Sequence, residues 1–270
     1  MNSAGLAGVT CLLFLVAGTA RADDAFFPVD VALDASNPVT DRGFVGYANF
    51  DDYLASINRT SPVVTMLSGA SIGSDMQLFN GSKLNMTAGT VGASFGSLLA
   101  YDQSTANMSG GIIGQHVTLQ RYARFNFSGG SVFDDVTAVD NSVLHITGGS
   151  IGHSLLLNEQ SRTFISGGTV FADIFVQDAS ILTMYGSDLT RTLTDPDFGG
   201  FYTQYTLAGH LADGTDLTGR TVLVQNGSGA SFFLSTGTAA VPEPQSWALM
   251  IAGFGIVGAA SRRRAYRLAA

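Results

Sequence analysis

At 270 residues, with 46% hydrophobic and only 13% charged side chains and with 33 glycines, the chain is too apolar to be a disordered polymer; its composition is that of a β-rich protein with many turns. Residues 23–241 hold 20 acidic against 8 basic side chains, a net charge of −12 that repels nucleic acid and acidic polymers. The one cysteine, Cys11, lies near the N-terminus, so the rest of the chain cannot depend on disulfides for stability.

The first element is an export signal at residues 1–22. "LAGVTCLLFLVAG" has the length of a signal h-region, and Ala20 and Ala22 supply the small residues a signal peptidase requires. The segment departs from the usual pattern in one respect: no Lys or Arg precedes the apolar run. Residues 23–62 carry no repeat and read as an N-terminal cap that covers the first open strand edge.

Residues 63–189 repeat. "ANMSGGII", "FNFSGGSV", "LHITGGSI" and "TFISGGTV" place a Ser or Thr at 109, 128, 147 and 166, a step of 19 residues. Degenerate copies at Ser68, Thr87 and Tyr185 bring the number to seven, with one insertion before Ser109. The residue before the Ser/Thr position is apolar in every copy: Leu67, Met86, Met108, Phe127, Ile146, Ile165 and Met184. So is the fourth residue after it, from Ile72 to Leu189. Period-two alternation in short β-branched runs predicts strands with one buried face. A period near 19 with Gly turns matches one coil of a β-solenoid, in which stacked coils share a continuous core. The predicted fold is therefore all-β: a single-stranded parallel β-helix of about seven coils of 19 residues. A right-handed wind is expected because the hexapeptide pattern of left-handed solenoids is absent. The Gly pairs at 110–111, 129–130, 148–149 and 167–168 predict a sharp corner where positive φ is needed.

Within the repeats, Asn80, Asp102, Arg121, Asp140, Glu159 and Asp178 share one column. Asp140, Glu159 and Asp178 would stack three carboxylates at strand spacing. That arrangement reads either as a Ca²⁺ ladder or as exposed turns in which acidic side chains bond backbone donors. His145 and His153 fall in one coil, near Asp134 and Asp135 in sequence; a metal or acid/base pair is the alternative to solvent-facing strand residues, and the latter is the reading taken. Parallel β-helices commonly act on polysaccharides, so a lyase or hydrolase is the alternative reading. The basic residues Lys83, Arg121, Arg124 and Arg162 are scattered, and Asp134, Asp135 and Asp173 form only a loose carboxylate set. No catalytic residue and no cofactor is expected, and the chain is read as not an enzyme.

Residues 190–240 leave the repeat and predict a C-terminal β cap and linker. The last element, residues 241–267, has three parts: Pro242-Glu243-Pro244, then Trp247-Ala248 within an apolar run, then Arg262-Arg263-Arg264. From Gln245 to Ser261 there are 17 uncharged residues, about 25 Å as a helix. Residues 246–261 would enter the membrane, and the arginines would form a cytoplasmic stop.

This tail resembles the PEP-CTERM sorting signal throughout "PEPQSWALMIAGFGIVGAASRRR", about 25 of the 270 residues. The resemblance implies recognition by an exosortase of a Gram-negative bacterium and an association with exopolysaccharide and biofilm. It implies passage through the inner membrane, at least transient anchoring, and delivery to the cell surface or extracellular matrix. The expected function is that of a structural or adhesive surface protein, with the exosortase, the membrane and extracellular polysaccharide as partners and no nucleic acid.

Overall fold

Each coil opens with a three-residue strand whose outer two side chains face inward, as in Val136-Thr137-Ala138, where Val136 and Ala138 are fully buried. A tight turn and a second strand with the same alternation follow. The computed structural model describes residues 24–236 except 37, 41, 48–58, 93 and 94. In chain order the strands are β1 (Ala25–Phe27), β2 (Val31–Leu33), β3 (Gly43–Val45), β4 (Val63–Met66), β5 (Ser71–Ile72), β6 (Met76–Leu78), β7 (Lys83–Met86) and β8 (Thr90–Val91). Then come β9 (Leu98–Ala100), β10 (Thr105–Ile113), β11 (Val117–Leu119), β12 (Arg124–Val132), β13 (Val136–Ala138), β14 (Val143–Ile151), β15 (Leu155–Leu157) and β16 (Arg162–Val170). The last are β17 (Ile174–Val176), β18 (Ile181–Phe198), β19 (Tyr202–Leu211), β20 (Thr221–Gln225) and β21 (Ser231–Ser235).

Equivalent strands of successive coils pair in parallel. One face is the run β1, β3, β6, β9, β11, β13, β15, β17, β20. A second is the run β2, β4, β7, β10, β12, β14, β16, β18, β21. A third, shorter ladder joins Ile72, Val91, Ile113, Val132, Ile151 and Val170. The chain is thus an all-β parallel solenoid of about eight turns, with no helix among the described residues.

Register follows from the alternation, because a slip of one residue would expose every core side chain. Leu98, Val117, Val136, Leu155, Ile174 and Val222 form one buried column, each in register with the next. Met66, Met86, Met108, Phe127, Ile146, Ile165 and Met184 form another. In a third column Ala106 sits beside Phe125, so a small and a large side chain share the interior. The Phe125 and Phe127 rings stack at 5.4 Å. A separate cluster of Phe44, Tyr47 and Phe79 lies outside this main core.

The first copy of the repeat differs from the sequence expectation. Leu67 is 41% exposed, and Met66 takes the core position opposite Met86. Ile72 still pairs with Val91, so the extra residue is absorbed at the corner around Gly69, whose φ is +80°. Parallel pairing also reaches beyond 63–189 at both ends. β1 to β3 add rungs before it, with Ala25 opposite Gly43 and Phe44 opposite Gln77. At the other end β20 pairs with β17 and β21 with β18, adding a rung after a long excursion. That excursion is a hairpin: β18 runs past the stack and returns as antiparallel β19, which lies along the free side of β20. β19 thus covers one exposed strand edge.

Among the described residues no helix is long and apolar enough to cross a membrane. The expected export signal with Ala20 and Ala22, and the tail with Pro242, Glu243, Pro244, Trp247, Ala248, Arg262, Arg263 and Arg264, lie outside the described residues.

Candidate functional site

The acidic column occupies a left-handed turn. Asn80, Asp102, Arg121, Asp140, Glu159 and Asp178 all have φ between +54° and +60°. Asn and Asp tolerate this conformation best, which accounts for most of the column. The side chains form a ladder between coils. Asp140 Oδ2 accepts the N–H of Arg121 at 2.7 Å, Glu159 Oε2 that of Asp140 at 3.1 Å, and Asp178 Oδ2 that of Glu159 at 3.0 Å. Gln225 Oε1 ends the series on the Asp178 N–H at 2.7 Å. Arg121 pairs with Asp102. Each carboxylate therefore caps the backbone of the coil before it. The Asp140 carboxyl beside Glu159, through hydrogen bonding and then charge, raises the Glu159 pKa above its ordinary value. The arrangement supplies the backbone-capping role of the two weighed for this column.

The histidines separate. His145 continues the outward column of Asn85, Asn107 and Asn126, whose amides bond one another at 2.9 and 2.7 Å. It is half-buried with its ring 4.9 Å from that of Phe164, and burial lowers its pKa, with Arg124 adding to the effect. His153 lies at another corner, together with His116, which sequence reasoning did not connect to Asp134 and Asp135. The period explains the meeting: 116 and 135 are 19 residues apart, as are 134 and 153.

At this corner, just before β11, β13 and β15, His116, the pair Asp134-Asp135 and His153 stand on three consecutive coils. His153 Nδ1 lies 2.7 Å from Asp135 Oδ1, which also accepts the N–H of Ser154 at 2.8 Å. The Asp135 contact is the main cause of a raised His153 pKa. Asp134 has His116 Nδ1 at 3.6 Å on one side and His153 Nδ1 at 3.7 Å on the other. Among the described residues His116, Asp134 and Asp135 bring three ligand atoms within 4.8 Å of one another, the one group able to hold a metal ion. Phe133 and Phe171 stand out from the same corner, 75% and 60% exposed, with Arg220 over the Phe171 ring at 5.9 Å.

A serine column also escaped sequence reasoning. Ser82, Ser104, Ser142, Ser161 and Ser180 are fully buried, with Ala123 at the equivalent place. Ser82 and Ser180 receive the N–H three residues earlier, at 3.1 Å in each case, whereas the hydroxyls of Ser104, Ser142 and Ser161 have no partner. In sequence these serines look like surface turn residues; only the coil geometry turns them inward.

No curated protein and no solved structure matches this chain. The description "PEP-CTERM protein-sorting motif" matches residues 240–264. These are the residues that hold Pro242-Glu243-Pro244, Trp247, the uncharged run and the three arginines. Behind a β-solenoid body, the chain carries a PEP-CTERM protein-sorting motif.

Proposed function

We propose that this protein is an exported structural or adhesive component of the cell surface or extracellular matrix, handed by its tail to an exosortase. The match at residues 240–264 carries the reading, since that motif implies an exosortase-targeted surface protein. On this reading residues 1–22 direct export, with cleavage after Ala22. Residues 246–261 hold the chain in the inner membrane of a Gram-negative cell, and Arg262–Arg264 remain cytoplasmic. The run of 17 uncharged residues is short for a permanent anchor, which suits a hold that is later cut.

The body is read as non-enzymatic, a right-handed rigid spacer or adhesive surface in an exopolysaccharide matrix. In support, the coils from Val117 to Ile174 step evenly by 19 residues and carry no insertion that would wall a cleft. Stretches of the outward columns are polar ladders, Asn85-Asn107-Asn126 and Thr118-Thr137, suited to contact with hydrated polymer.

The test follows a tagged protein with and without residues 242–270. Loss of surface delivery and of processing on truncation is the expected result. An unchanged location and an unchanged processed size would sink the sorting reading.

A further inference from the structure

We infer that His116, Asp134 and Asp135 form a binding site for one first-row divalent metal ion, Zn²⁺ fitting best, with His153 as the residue that positions Asp135. The site is independent of the sorting route, because it lies wholly within the solenoid.

The Asp134 carboxylate carries the argument. Asp135 has an evident structural task, since its Oδ1 caps the Ser154 N–H just as Asp75 Oδ1 caps the Ser97 N–H at 2.8 Å three coils earlier in the same column. Asp134 has no such task. Among the described residues its carboxylate makes no hydrogen bond, and its neighbours are two ring nitrogens at 3.6 and 3.7 Å. Those separations are too long for a hydrogen bond. The His116–Asp134 separation of 3.6 Å is close to the edge of a tetrahedron around Zn²⁺, about 3.4 Å for bonds of about 2.1 Å. One ring nitrogen of His116 and one oxygen of each carboxylate already converge within 4.8 Å, so a cation between them needs only small side-chain rotations.

Charge and donor type select the ion. Two carboxylates neutralise a dication, and one imidazole nitrogen favours Zn²⁺ over Ca²⁺ or Mg²⁺, which prefer all-oxygen shells. The side chains of His116, Asp134 and Asp135 are 41%, 36% and 22% exposed, which leaves the remaining coordination positions to water. His153 bonds Asp135 Oδ1 and leaves Oδ2 for the ion, the arrangement of an outer partner that aims a ligand. Because β11 and β13 are locked in register, with Val117 opposite Val136, the ligands are preset by backbone and the ion would tie two coils together.

The experiment uses the purified full-length chain, stripped of metal by chelation. Zn²⁺ is titrated calorimetrically, Co²⁺ serves as a visible-absorption probe, and thermal unfolding is followed with and without Zn²⁺. The expected result is one Zn²⁺ per chain, a raised melting temperature and a Co²⁺ band that Ca²⁺ at equal concentration does not remove. Asp134→Asn, which keeps shape and fold, and His116→Ala should each weaken Zn²⁺ binding by about 10-fold or more. His210→Ala, a histidine change away from this corner, should leave it unchanged. His153→Gln should shift the Co²⁺ band while keeping one ion per chain. Absence of stoichiometric binding, or binding that survives both Asp134→Asn and His116→Ala, would overturn the site.

Discussion

At the scale of single residues, the solenoid is governed by where a side chain is forbidden and where a charge is tolerated. In each Gly pair the two glycines are needed for different reasons. Gly148 has ordinary φ, but a Cβ there would meet the Ser128 carbonyl oxygen of the preceding coil at 2.6 Å. Gly149 has φ +86°, and its Cβ would also meet the Phe127 ring at 2.5 Å. Gly149→Ala should therefore cost about 1–3 kcal/mol in urea unfolding. Gly199→Ala, at φ +62° with open space around it, should cost about 1 kcal/mol or less. Equal losses at both sites would show that packing of one coil on the next is not the constraint. The carboxylate ladder yields a pH prediction. Glu159 has a folded pKa above its ordinary 4.5, so its favourable contribution is present below 4.5 and is lost as pH rises through the raised value. At neutral pH Glu159 and Asp140 repel each other. Glu159→Gln keeps an oxygen for the Asp140 N–H, as Gln225 already does for Asp178. It should raise the melting temperature at pH 7, with the gain vanishing toward pH 4; a gain independent of pH would reject the charge explanation.

At the scale of elements, one coil is a unit because its length returns each side chain to the same face. Removing residues 139–157 joins Ala138 to Asn158, and Leu157 normally precedes Asn158 in the same column as Ala138. This 19-residue deletion should keep a cooperative β-type unfolding transition with a modest loss of stability, since solenoid stability is roughly a sum over neighbouring coils. Removing residues 140–157, one fewer, leaves one extra residue that a turn must bulge to absorb if the core face is to stay inward, and should cost clearly more stability than the 19-residue deletion. Circular dichroism of the two variants distinguishes them, and similar behaviour would contradict a fixed register. Much of this was legible in the chain. The columns from Met86 to Met184 were readable because inward positions are apolar in every copy. Leu67 was assigned inward and lies outward, because a one-residue bulge at a corner leaves no mark in an apolar pattern where Met66 and Leu67 are both suitable. The Gly corners were readable in sequence; the buried serines were not, since Ser is as common in exposed turns as in this inward one.

At the scale of the whole molecule, the two ends show the limits of period reading. β1 to β3, β20 and β21 join the stack by parallel pairing although their sequences do not repeat the Gly-Gly corner. Coil formation needs only alternation and a free strand edge, both of which non-repetitive segments can supply. The edge of β20 is then covered by β19, which makes the last rung part of the cap. The candidate metal corner has the same origin. His116, Asp134, Asp135 and His153 look scattered along the chain and become neighbours because the coil length carries 116 onto 135 and 134 onto 153. His145, closer in sequence to His153 than His116 is, points from a different face and pairs with Phe164. By itself the sequence determined the all-β solenoid, its period and the sorting motif at residues 240–264, because each is written in local alternation or in a contiguous motif. Only the tertiary structure decided where the stack begins and ends, which carboxylates cap backbone amides and which one is left between two imidazoles. Those outcomes depend on which residues the winding of the chain places one coil apart, at a strand spacing of about 4.8 Å.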